Sequence, residues 1–93
     1  MTMLEVIKII YLNKEKGDFL KYEILADETG KATLALAHIS LQHQVGLLSY
    51  AVWTKVDEII LPAEKMTGQT AGETLQLAVD MCVKHRAEWQ QQN

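Results

Sequence analysis

The residues of this chain that could bind a metal or move a proton near neutral pH are its three histidines and its single cysteine. His38 and His43 lie five residues apart in "HISLQHQ". On a regular strand an odd separation sends two side chains to opposite faces, and on a helix an i, i+5 pair diverges, so neither geometry lets them share a metal. Only a bulge would unite them. The apolar phase, which passes from Leu34 and Leu36 to Ile39 and Leu41, leaves room for one. Cys82 and His85 are i, i+3 and would share a helix face as a thiolate–imidazole pair. An activated thiolate needs a nearby cation or a helix N-terminus. Cys82 falls late in its helix, with only Arg86 at hand, and a cysteine inside an apolar stripe ordinarily serves as a small core residue. Zinc would require two further ligands, and no second C-x-x-C or H-x-x-H pair exists in the chain. His38, His43, Cys82 and His85 are therefore the candidates for a ligand site between sheet and helix. No catalytic residue, cofactor site or metal site is assigned, and no cofactor is expected.

Other patterns carry less chemistry. Gly68 and Gly72 precede a helix in "TGQTAGET", but the Gly-Lys-Ser/Thr ending of a phosphate loop is missing. Thr70 and Glu73 form a T-x-x-E capping box, which accounts for both residues without a ligand. Gly68 to Met81 resembles, over that helix start alone, the "G-x-T-x-x-E" opening of HicB-type antitoxins. The shared residues are those of the cap, and no family is assigned from them. Tyr11, Tyr22, Tyr50, Trp53 and Trp89 could stack bases, but their neighbours are Val, Ala, Glu and Gln, which favours core or interface packing.

These residues must be positioned by one small domain, residues 1–93. The chain is 48% hydrophobic and 23% charged, within the ordinary globular range. Its net charge of −3 argues against sequence-independent nucleic-acid binding. Lys14, Lys16 and Lys21 are interleaved with Glu15, Asp18 and Glu23. A lone cysteine rules out an internal disulfide and fits a reducing, cytoplasmic setting. The N-terminal "MTMLEVIKIIYL" lacks a basic leader region and carries Glu5 and Lys8 inside its apolar run, so neither a signal peptide nor a membrane span is expected.

Residues 3–12 and 19–26 are rich in β-branched and aromatic residues and read as strands flanking a hairpin loop at 13–18. "DETGK" (27–31) fits a type I turn with a glycine bulge. A third strand starts at Ala32. Residues 38–52 suit either a strand pair or a helix with Leu41, Val45, Leu48 and Val52 as its stripe. Gly46, Tyr50, Val52, Trp53 and Thr54 favour strands, with a loop at Val45-Gly46 longer than two residues or bulged. Pro62 marks a sheet edge and opens a loop. A helix over about 70–90 buries Leu75, Ala78, Val79, Met81, Cys82, Val83, His85 and Trp89, with Leu75 central. Its other face carries Glu73, Gln76, Asp80, Lys84 and Glu88, with Leu77 misplaced among them.

The expected architecture is α+β: a four-stranded antiparallel β-meander followed by one long C-terminal amphipathic helix (ββββα). One helix covers one sheet face, and both faces are apolar, so a homodimer is expected. The leading functional expectation is a small non-catalytic protein that binds another macromolecule, as a regulator, an adaptor or an inhibitor of the phage-encoded type. A small enzyme or ligand-binding protein using His38, His43 or Cys82 with His85 is the alternative. A nucleic-acid-binding regulator is the third reading.

Overall fold

A computed structural model describes residues 3–13 and 19–92. It is the expected ββββα arrangement: β1 (Glu5–Asn13), β2 (Phe19–Ala26), β3 (Ala32–Val45) and β4 (Leu48–Ile60), then a one-turn α1 (Ala63–Met66) and the long α2 (Ala71–Gln92). The strands lie in the order β1-β2-β3-β4, all antiparallel. The loop expected at 13–18 falls largely on residues 14–18, outside the described residues. No helix among the described residues is long and apolar enough to cross a membrane.

The turns follow from local chemistry. Asp27 Oδ1 accepts the amide and hydroxyl protons of Thr29, and Gly30 takes φ +82°, the positive value the "DETGK" bulge requires. The β3–β4 turn corrects the sequence expectation. It is a two-residue loop, Gly46-Leu47, with Gly46 as its first central residue at φ +60°. Positive φ at that position is what a primed hairpin turn demands, so the tight loop sits one residue later than Val45-Gly46. Thr70 and Glu73 form their box as expected: the Thr70 amide donates to the Glu73 carboxylate, and the Glu73 amide donates to the Thr70 hydroxyl. Hydrogen bonding from Thr70, first through its amide and then through its side chain, holds the Glu73 carboxyl below its usual range. The segment after Pro62, expected as loop, contains the single turn of α1.

One sheet face carries α2. Leu20, Tyr22, Ile24 and Ala26 of β2 and Ala32, Ala35 and Ala37 of β3 are buried there against Thr74, Ala78 and Cys82. Small residues on both sides of this seam let the helix approach closely. Thr74 pins its start: the hydroxyl donates to the Ala71 carbonyl at 2.8 Å and accepts the Ala32 amide at 3.1 Å. The helix stripe therefore differs from the expected one. Its centre is Thr74, Ala78 and Cys82; Leu75 is half-buried at the flank, Leu77 packs on the core, and Val83 is exposed.

Three irregularities set the faces. Register shifts leave Ile7 of β1, Thr33 of β3 and Val56 of β4 without a partner in the ladder. The shift at Ile7 puts Val6 opposite Leu25, in line with Ile9 and Tyr11 and away from Ile10 and Leu12, contrary to simple alternation. In β3 the phase runs unbroken from Ala35 through Ala37, Ile39 and Leu41. The apparent slip arose from reading Leu34 and Leu36, which lie on the open face, as the core set.

Candidate functional site

The histidines and the cysteine are placed by this framework in three separate environments. His38 lies on the open face, between Lys21 of β2 and Lys55 of β4. Its Nδ1 is buried with no hydrogen-bond partner. His43 lies on the opposite face of β3, in phase with Leu41 and Val45, and stacks on its cross-strand neighbour Tyr50 with centroids 5.5 Å apart. Cys82 and His85 lie under and beside the helix seam. Among the described residues no cluster of three or more His, Cys, Asp or Glu side chains is placed to hold a metal ion.

His85 belongs to a cluster that spacing alone does not reveal. The Tyr22 hydroxyl lies 2.8 Å from its Nδ1, and the Asp57 carboxylate lies 2.7 Å from its Nε2. A carboxylate only accepts, so Nε2 carries the proton given to Asp57, and in the neutral ring Nδ1 accepts the tyrosine proton. Trp89 stacks on the imidazole ring, with centroids 6.0 Å apart. The bond from His85 holds the Asp57 carboxyl below its usual range. Burial drives the Tyr22 phenol well above its ordinary value and pushes the Cys82 thiol up to about 11. Tyr22 and Cys82 are both fully buried, at 0% exposure, so neither oxygen nor sulfur can meet a substrate. The arrangement clasps β2, β4 and α2 together through a satisfied buried hydroxyl. Beside it runs a shallow groove of about 390 Å³, lined by Ile59, Leu77, Met81 and His85 with Lys65, Asp80, Lys84 and Glu88 at its rim. That lining mixes both signs of charge and offers no nucleophile with a neighbouring base.

The open face is organised in rows across the strands. Val6, Leu25, Leu34 and Ile60 form an apolar row. Ile9, Glu23, Leu36 and Glu58 follow, and then Tyr11, Lys21, His38 and Lys55. The charges are matched locally: Lys21 pairs with Glu23 at 3.3 Å and Lys55 with Glu58 at 2.6 Å. Trp53 lies over the Lys21 ammonium at 4.8 Å and meets Tyr11 at 6.1 Å, so two aromatics from the outer strands bridge the basic row. Of the five aromatics weighed in the sequence, Tyr22 is fully buried and Tyr11, Tyr50 and Trp53 are exposed, so core packing accounts for the first and not for these three. Among the described residues, Lys21 and Lys55 of this face each have a glutamate beside them.

The third surface is the end of the β3–β4 hairpin, which was not singled out in the sequence. β2 pairs with β3 only as far as Leu20↔Ile39 among the residues whose side chains are described, whereas β3 and β4 continue pairing to Val45↔Leu48. Among the described residues the outer part is a two-stranded arm. It stretches the molecule to 53 × 31 × 17 Å, with a radius of gyration of 15.1 Å against about 12 Å for a compact chain of this length. On the helix side the arm carries Leu41, His43 and Val45 facing Val52, Tyr50 and Leu48, which continue the core column of Ala35, Ala37 and Ile39. Val45 and Leu48 are each 64% exposed, and Leu47 at the tip is fully so. From Ala32 to Thr54 the chain contains no Asp, Glu, Lys or Arg. That charge-free run was the available sequence signal for the arm.

No protein-family model, curated protein or solved structure matches this chain.

Proposed function

We propose that this is a non-catalytic protein that acts by binding protein, as a homodimer, with the β3–β4 arm as its contact element. One observation carries the reading: a chain that is 23% charged places no charge on a ribbon that, among the described residues, runs on past the rest of the sheet and whose helix side is apolar. Proteins that leave strand edges in water guard them with lysines, prolines or inward-facing charges. An arm without any of these is suited to being covered. The chemistry-bearing side chains support the same reading, since Tyr22 and Cys82 are sealed in the core and His85 is committed to Tyr22 and Asp57.

The test compares tagged wild-type protein with Val45→Asp and Leu48→Asp as baits, in extracts of the source cell that also contain the untagged chain. Wild type is expected to retain protein, its own chain or another, that both arm variants lose. Identical recovery by wild type and variants overturns the arm as the contact element.

A further inference from the structure

Resting on that reading of the arm, we infer that its apolar side is covered by the same side of the arm of a second copy, the two ribbons packing face to face and running antiparallel about a two-fold axis through the His43–Tyr50 row. Three features single out a second copy as the occupant. The first is charge. Each protomer carries a net −3, and the segment from Ala32 to Thr54 is where two copies can meet without bringing like charges together. A charge-free arm also offers a partner of a different kind no electrostatic complementarity to read.

The second feature is self-complementarity. The helix side of the arm has three rows: Leu41 with Val52, His43 with Tyr50, and Val45 with Leu48. A two-fold axis through the middle row lays Leu41 over the partner's Val45 and Val52 over the partner's Leu48. Every apolar group then meets an apolar group, as an isologous interface requires. The flat His43–Tyr50 stack, 17° between planes, meets its own symmetry mate at the axis. The tip, where Leu47 is wholly exposed, then reaches one row past Leu41 to the partner's Ile39, where the core column emerges from the helix-covered part of the sheet.

The third feature is size. The three rows and the tip expose on the order of 600 Å² per protomer, at the lower limit for a specific interface of roughly 1,200 Å² in total. Sheets packed face to face lie about 10 Å apart, which the leucine, valine and tyrosine side chains fill. The open faces, with Tyr11 and Trp53, are left outward on both protomers.

Sedimentation of the full chain tests this at micromolar concentration. Wild type is expected at twice 10.5 kDa. Val45→Asp and Leu48→Asp are expected at the protomer mass with unchanged circular dichroism, because the arm lies outside the core and its substitution leaves the fold intact. Leu36→Asp, on the open face, is expected to remain dimeric. Tyr50→Cys in a Cys82→Ala background is expected to form a disulfide-linked dimer on mild oxidation, and Gln42→Cys, on the other side of the ribbon, is not. A wild type that sediments as a monomer overturns the second copy as occupant, and an arm-dependent capture of another protein would then still uphold the arm as the contact element. A dimer that survives both arm substitutions and dissociates with Leu36→Asp overturns it as well, placing the interface on the open face.

Discussion

Replacing Tyr22 by Phe removes one oxygen from the centre of the molecule and leaves its shape unchanged. The hydroxyl is fully buried and its proton goes to His85 Nδ1 at 2.8 Å. The loss comprises a net hydrogen bond of about 1 kcal/mol and a histidine nitrogen left without a donor, which costs a further ~1 kcal/mol at most because His85 keeps some access to water. The expected destabilisation is about 1–2 kcal/mol. For a domain of this size that corresponds to a fall in thermal midpoint of roughly 5–15 °C. Differential scanning calorimetry at one fixed protein concentration measures it. Combined with His85→Leu, the pair should show a coupling of about 1 kcal/mol in a double-mutant cycle. The clasp also has a pH signature. The Asp57 carboxyl is held below its usual value by the bond from His85, so its contribution to stability is present above the ordinary carboxylate pKa and is lost as pH falls through the lowered folded value. Asp57→Asn should therefore flatten the loss of stability below about pH 4. A Tyr22→Phe variant that melts with wild type, or a cycle with no coupling, would refute the assignment of Tyr22, His85 and Asp57 as one unit.

Three other outcomes follow from the packing. Cys82, buried and with its thiol pushed up to about 11, should react with a thiol reagent only on the timescale of unfolding, and rapidly in denaturant. Thr74→Val keeps the volume but strands the Ala32 amide, and should cost about 1–3 kcal/mol in a urea melt. The Cβ of Gly46→Ala meets no atom within 4 Å but forces φ +60° on a residue that has one, so its cost of roughly 1–2 kcal/mol is backbone strain alone, visible as weaker exchange protection of amides 41–52.

The order of elements was legible because each has a local cause: β-branched runs for the strands, Asp27 and Gly30 for one turn, Thr70 and Glu73 for the helix start. The choice of strands over helix for 38–52 rested on Gly46 and the aromatic and β-branched residues after it, and the ladder from Ala37↔Asp57 to Val45↔Leu48 follows that choice. What escaped was decided by partners distant in sequence. Ala35 and Ala37 are the core set and Leu34 and Leu36 are not, because a close helix wants small residues beneath it; a hydrophobicity count ranks them the other way. Thr74 reads as polar until the Ala32 amide, 42 residues away, is placed against it. His85 looks like a companion of Cys82 on the helix, yet its partners are Tyr22, 63 residues off, and Asp57 on β4. The faces of β1 and β4 turned on the unpaired residues Ile7 and Val56, which alternation cannot locate.

The close seam between α2 and the sheet also dictates a timetable. All four strands precede α2 in the chain, and each strand pairs with its immediate neighbour in sequence, so the meander can form as it is synthesised. The face bearing Leu20, Tyr22 and Ile24 then waits for its cover until the helix has been made. At about 5–20 residues per second that delay lasts on the order of seconds. During it the nascent chain presents a bare apolar sheet, together with the charge-free arm, to whatever emerges beside it. The surface that holds the finished fold together is thus the one left bare while the helix is still being made.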